Sequence, residues 1–135
     1  MRVNRINFSI LMAGLLLVVT ACGGPESEDE IQQRISRSEA LARVDSLCFD
    51  LPKPANFKFV YRNLTGNGHT TSISYQFSSS LPISEVDRFY SNVLPTLGWH
   101  FSKESRRYEK GNQQLSITKV DFPKADYSVY CGEEH

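Results

Sequence analysis

Residues 84–99, SEVDRFYSNVLPTLGW, carry the most regular apolar pattern in the 135-residue chain. Ser84 and Asp87 have the spacing of a capping box, which predicts that a helix begins at Ser84. Pro95 should end or kink this helix, and Gly98 closes the segment. The apolar residues after Ser84 recur at helical spacing and share one side of the predicted helix: Val86, Phe89, Tyr90, Val93, Leu94 and Leu97.

Two alternating stretches precede this helix and predict a β-hairpin around the turn Gly66-Asn67-Gly68. Alternation places successive side chains on opposite faces of a strand. In the first stretch, one face comprises Phe57, Phe59 and Tyr61, and the other comprises Lys58, Val60 and Arg62. In the second stretch, one face comprises Thr71, Ile73, Tyr75 and Phe77, and the other comprises Ser72, Ser74, Gln76 and Ser78.

Short strand patterns follow the helix between Trp99 and Thr118, with a turn at Gly111-Asn112 between them. The alternation of Tyr127, Val129 and Cys131 predicts a final strand. Hairpin-length connections without a βαβ rhythm favour an antiparallel sheet. We therefore predict the order ββαβββ.

An N-terminal helix is predicted over residues 29–47, and Pro52 and Pro54 break the chain after it. The expected fold is a two-layer α+β domain over residues 31–135, with the Ser84 helix packed on one sheet face. That helix would cover the aromatic side of the first hairpin. The core predicted between them comprises Phe59, Tyr75, Phe89, Leu94 and Trp99.

The first 21 residues have the organisation of a signal peptide. Arg2 and Arg5 precede the apolar run 8–21. A helix of that length falls short of the ~30 Å hydrocarbon core of a bilayer, so the run is not predicted to span a membrane.

The run ends in Val19-Thr20-Ala21-Cys22, which resembles the lipobox of bacterial lipoproteins. The resemblance implies lipidation of Cys22, cleavage before it, and anchoring by acyl chains. Residues 22–30 would then be the lipidated cysteine and a tether. Gly23 stands where an Asp would imply retention in the inner membrane, so the resemblance implies the periplasmic face of the outer membrane. An ordinary secretory signal followed by an unmodified cysteine is the alternative.

Residues 57–132 resemble a module of small exported bacterial proteins and lipoproteins of unassigned function. The resemblance rests on the apolar stripe that ends in Gly98-Trp99, the Lys110-Gly111 hairpin and the closing Tyr-x-Val-x-Cys strand. It implies a fold and no activity.

Cys48 and Cys131 remain as a pair once Cys22 is assigned to lipid. In an oxidising compartment such a pair predicts a disulfide, with a free pair or a metal pair as alternatives. His69, His100 and His135 do not share ligand spacing, so no metal and no cofactor is expected.

Catalysis and nucleic-acid binding are not favoured. The chain has 15 Lys+Arg and 15 Asp+Glu and lacks the basic surface that nucleic acid requires. No serine lies in a G-x-S-x-G elbow. The acid pairs Asp121 with Asp126 and Glu104 with Glu109 flank turns, where carboxylates are usually solvated.

The expected function is therefore non-catalytic: a membrane-anchored envelope lipoprotein that binds or scaffolds another envelope protein. A membrane-tethered periplasmic hydrolase is the alternative. The available surface is an unpaired sheet edge or the polar sheet face opposite the helix, which would otherwise simply face solvent. The residues predicted for that polar face are Lys58, Val60, Arg62, Ser74, Gln76 and Tyr130.

Overall fold

The structure, a computed structural model, describes residues 26–135. Its helices are α1 (Glu28–Ser36), α2 (Glu39–Asp50) and α3 (Ile83–Val93), and a 3-10 turn (Leu94–Leu97) follows α3. Its strands are β1 (Lys58–Leu64), β2 (Thr70–Ser78), β3 (His100–Ser102), β4 (Arg107–Lys110), β5 (Gln113–Phe122) and β6 (Ala125–Glu134).

The strands form one antiparallel sheet in the order β1-β2-β6-β5-β4-β3. This confirms the α+β class and the antiparallel sheet. The described chain has six strands, one more than the predicted ββαβββ order, because a tight turn divides the segment after Gly98. In that turn the Arg106 N–H donates to the Ser102 carbonyl and Arg106 takes a positive φ of 57°.

The predicted N-terminal helix is two helices. Ser27 caps α1 through a capping box with Glu30, and the Ser38 side chain accepts from the backbone N–H of Leu41 at the start of α2. Such caps satisfy backbone donors that a helix start leaves unpaired, so Ser38 begins a new helix instead of continuing the first. α1 begins at Glu28, inside the segment predicted as tether.

α3 begins one residue before the predicted start. Its N-cap is Pro82, and no side chain caps it, so the capping box expected from Ser84 and Asp87 does not form. Pro82 has extended backbone with a φ of −64°, which already suits entry into a helix. At the other end the prediction is correct: Pro95 lies in the 3-10 turn, and Gly98 takes a φ of 87°.

All three helices lie on one side of the sheet. α2 is tied to β2 by Asp45 and Tyr75, and to β6 by Cys48 and Cys131. α1 contacts Arg62 of β1. α3 contributes its buried residues to the same core as the inward side chains of β2, β5 and β6. The inward side chains of the first hairpin are therefore covered by α2, where the sequence predicted α3.

The predicted core is partly correct. Tyr75, Leu94 and Trp99 are buried. Phe89 is half-buried at the margin of the core. Phe59, which the alternation predicts to be inside, is 52% exposed because β1 is an edge strand of the sheet that residues 26–135 form.

A β-bulge at Val60 changes the faces of β1. Phe59 pairs with Phe77, Tyr61 pairs with Gln76, and Val60 is the extra residue between them. Because one inserted residue reverses the alternation that follows, Arg62 lies on the helix side of the sheet and Tyr61 on the other. The predicted faces are thus correct up to Phe59 and wrong at Tyr61 and Arg62.

Candidate functional site

The sheet surface opposite the helices is called the open face. No helix of residues 26–135 packs on it. Its side chains follow from the strand register and come from five strands. The residues that define it are Lys58, Tyr61, Asn63, Ser72, Ser74, Gln76, Arg107, Gln114, Ser116, Thr118, Ser128, Tyr130 and Gly132.

Long side chains on the open face stand over small ones. The Tyr130 ring lies directly over Gly132, where an added Cβ would come within 2.7 Å of the Tyr130 hydroxyl. The Arg107 guanidinium lies 5.2 Å from the centre of the Tyr130 ring and donates to Gln114 at 2.8 Å. Tyr and Arg with a polar surround are the residues that most often supply the energy of a protein interface.

Along β2, the side chains of the open face are buried beneath neighbouring side chains. Ser72 and Ser74 are buried, and the Ser72 hydroxyl is hydrogen-bonded to Thr65 at 2.9 Å. Gln76 Nε2 donates to Asn63 Oδ1 at 3.2 Å, while Gln76 Oε1 is buried and has no hydrogen-bond partner in the described part of the chain. The predicted polar face is therefore polar, but a partner would contact mainly its rim.

The residues predicted for this face do not all lie on it. Lys58, Ser74, Gln76 and Tyr130 do. Val60 is the bulge residue, and the Arg62 side chain lies among the helices, only 9% exposed. Sequence patterns do not assign Tyr61 and Arg107 to this face. The bulge before Tyr61 has no sequence signal, and Arg107 lies in a short strand without clear alternation.

Arg62 joins α1, α2 and the sheet. It lies 2.6 Å from Asp45 and 2.6 Å from Glu28, and it donates to Gln32 at 2.7 Å. The Tyr75 hydroxyl donates to the same oxygen of Asp45 at 2.6 Å.

The pKa values of this cluster reflect those contacts. Burial disfavours the charged guanidinium of Arg62, but hydrogen bonds to Asp45, Glu28 and Tyr75 outweigh burial and raise its pKa. Burial, followed by the hydrogen bond to Asp45, raises the pKa of Tyr75. The raised pKa values keep Arg62 charged and Tyr75 neutral at neutral pH.

Beside this cluster, an aromatic cleft of about 510 Å³ opens between α2 and the first hairpin. Its lining residues are Glu28, Phe49, Lys53, Phe57, Phe59, Arg62, Tyr75 and Phe77. Phe49 is 70% exposed at one side and Phe59 is 52% exposed at the other. No sequence pattern indicates this cleft, because it depends on the bulge in β1 and on α2 lying over the hairpin.

Lys53 closes one end of the aromatic cleft. Its ammonium donates to the carbonyls of Cys48, Phe49 and Leu51 and lies 5.9 Å from the ring centres of Phe49 and Phe77. Burial lowers the Lys53 pKa. Lys53 therefore satisfies the last carbonyls of α2, and Arg62 is held by carboxylates, so neither charge is free for a ligand.

Cys48 and Cys131 are bonded to each other, with Cα atoms 5.8 Å apart, and both are fully buried. Cys22 lies outside the described residues. Within residues 26–135, His, Cys, Asp and Glu nowhere form a group of three suited to a metal ion. The three histidines are dispersed: His69 is in the first hairpin turn, His100 lies 3.8 Å from Glu109, and His135 contacts Thr71. None of the described helices is long and apolar enough to cross a membrane.

Comparisons with known proteins leave the function open. No family model and no solved structure matches the chain. A stretch of 80 residues, 58% of the chain, is 30% identical to part of histone-lysine N-methyltransferase SETD2 of Mus musculus. The chain spans 3% of the length of that protein. A match to so small a share of another chain shows neither a common family nor a common activity.

Proposed function

We propose that this protein is a non-catalytic lipoprotein of the bacterial cell envelope, anchored at the periplasmic face of the outer membrane through Cys22, that binds another envelope protein through its open face. The anchor is supported by the sequence alone, through the charged start, the apolar run and the lipobox-like residues before Cys22.

The observation that carries the binding role is the one-sided cover of the sheet. The helices pack on one face. The other face presents Tyr61, Arg107 and Tyr130 on either side of the buried polar side chains of β2. A sheet face with exposed aromatic and guanidinium side chains on either side of β2 suits a protein partner better than a small molecule, which prefers a concave site.

A tethered hydrolase would need ionisable groups free to contact a substrate. In the aromatic cleft, Arg62 is bound by Asp45 and Glu28, and Lys53 is bound by backbone carbonyls. This is why we favour binding.

Two measurements test the proposal. Mass spectrometry of the mature N-terminus should find an acylated Cys22; an unmodified chain that starts at Cys22, or one that retains Met1, contradicts the anchor. For the binding role, a photo-crosslinking amino acid is placed at Asn63 on the open face and, as a control, at Asn92 on α3; both positions are exposed.

The membrane-anchored protein should crosslink to one envelope protein from position 63 and not from position 92. Tyr61→Ala and Arg107→Ala should weaken that interaction by about tenfold or more if these side chains supply the binding energy. Equal crosslinking from positions 63 and 92, or no effect of either alanine, contradicts the open face as the binding surface.

A further inference from the structure

Phe49 and Phe59, called the aromatic pair below, are exposed and both line the aromatic cleft. They come from different elements, α2 and β1, and the open face does not include them. Exposed large apolar side chains that cluster in this way mark contact surfaces.

The two phenylalanines lie close to the start of the described chain, and therefore close to Cys22. Glu28 lines the aromatic cleft, and Glu26 lines a second groove along β1 that also includes Phe59. Cys22 precedes Glu26 by four residues, which span at most about 14 Å when extended. The opposite edge of the sheet, at β3, lies five strand spacings or about 24 Å from β1. An anchor on Cys22 therefore keeps the groove beside Phe59 within reach of the bilayer, whereas the same tether places no such limit on the far edge.

Charge does not assist a contact between this region and anionic lipid. Lys53 and Arg62 already have partners within the protein. The start of α1 carries the acids Glu28, Asp29 and Glu30, and Glu26 precedes them. The rings themselves remain as the contact, and Phe is one of the side chains that bury at the boundary between lipid headgroups and acyl chains in proteins that lie on a bilayer.

We propose that Phe49 and Phe59 dock on the surface of the bilayer that anchors the protein, which fixes the orientation of the domain on the membrane. The proposal rests on the lipid anchor of the proposed function. The partner of the rings is zwitterionic lipid, which has no net charge, and the open face remains available for a protein.

The test uses the mature lipidated protein in phosphatidylcholine vesicles that contain doxyl-labelled phosphatidylcholine, which quenches tryptophan fluorescence on contact. Phe49→Trp and Phe59→Trp place a probe in the pair. Phe101→Trp is the matched control, because Phe101 is 53% exposed but lies on β3 at the far edge. The native Trp99 is 3% exposed and supplies the background in all three.

Quenching at positions 49 and 59 should exceed quenching at position 101 by roughly twofold or more, as expected for side chains at the lipid interface. It should be insensitive to salt.

Three results would overturn the proposal. Membrane binding is checked by flotation of the vesicles in a density gradient. If the protein floats with the vesicles but quenching is equal at all three positions, the docking is overturned and the anchor remains. Protein that does not float overturns the anchor and the docking together. Blue-shifted emission at positions 49 and 59 without lipid quenching would mean that a second copy of the chain covers the pair.

Discussion

Arg62 and Asp45 lie 17 residues apart in the sequence and form an ion pair with 2.6 Å between Nη1 and Oδ1. Asp45 also accepts from the Tyr75 hydroxyl, so one carboxylate links α2, β1 and β2. The pair exists because the bulge at Val60 turns Arg62 inward.

Arg62→Met should therefore destabilise the domain strongly, by about 3–5 kcal/mol, because it leaves Asp45 as a partly buried charge without its cation. Arg34→Met is the control: Arg34 pairs with Glu26 where both side chains are well exposed, and its loss should cost less than about 0.5 kcal/mol. Urea denaturation of both variants gives the comparison.

The double variant Arg62→Met/Asp45→Leu sharpens this prediction. Removing both charges should recover part of the loss, since an apolar pair of similar volume often replaces a buried ion pair at little cost. If the destabilisation of the double variant equals the sum of the two single-variant losses, the two charges do not act as a unit.

The sequence was sufficient for the features that depend on regular spacing. The apolar positions Val86, Tyr90 and Leu94 predicted the buried side of α3 and of the 3-10 turn after it, and the alternation from Ile73 to Phe77 predicted the inward face of β2. It could not show the bulge, because an extra residue such as Val60 has no signature in a two-residue period. Arg62 was therefore assigned to the wrong face, and the aromatic cleft, to which α2 and β1 both contribute, was missed.

The Cys48–Cys131 bond is testable by counting thiols. Both residues are fully buried, so alkylation must be done in denaturant without a reducing agent. Neither cysteine should be labelled until reductant is added. Labelling of both before reduction would contradict the disulfide.

The double variant Cys48→Ala/Cys131→Ala measures the contribution of that bond to stability. The bond closes a loop of 83 residues. On the chain-entropy model its removal should cost up to about 4–5 kcal/mol. A loss below about 1 kcal/mol would contradict the entropic account.

The pair Arg43 with Glu133 predicts a pH dependence on the acid side. A hydrogen bond from Arg43, opposed by burial, lowers the Glu133 pKa from its ordinary value of 4.5. A carboxyl with a lowered folded-state pKa stabilises the protein above the unfolded-state pKa, and this contribution is lost as the pH falls through the folded-state value.

Glu133→Gln should therefore lower stability at pH 7 and flatten the decline between pH 7 and the acid range, so that wild type and variant converge at low pH. Glu104→Gln, at an exposed turn position, is the control and should follow the wild type. A constant difference between wild type and Glu133→Gln at every pH would contradict a contribution from ionised Glu133.

Two buried tyrosines should respond to the same substitution with opposite sign. Tyr90 and Tyr127 are both almost fully buried. The Tyr127 hydroxyl donates to the Leu81 carbonyl, whereas the Tyr90 hydroxyl has no hydrogen-bond partner in residues 26–135, and burial raises the Tyr90 pKa.

Tyr127→Phe removes a hydrogen bond and should lower the free energy of unfolding by about 1 kcal/mol. Tyr90→Phe removes an unsatisfied buried hydroxyl without changing the ring, so it should raise the free energy of unfolding, by about 1 kcal/mol. Chemical denaturation of both variants under one set of conditions measures the difference, and the shared ring cancels packing effects to first order. If Tyr90→Phe destabilises the domain as much as Tyr127→Phe, the Tyr90 hydroxyl has a partner in solution, and the α3 side of the core is more hydrated than its burial indicates.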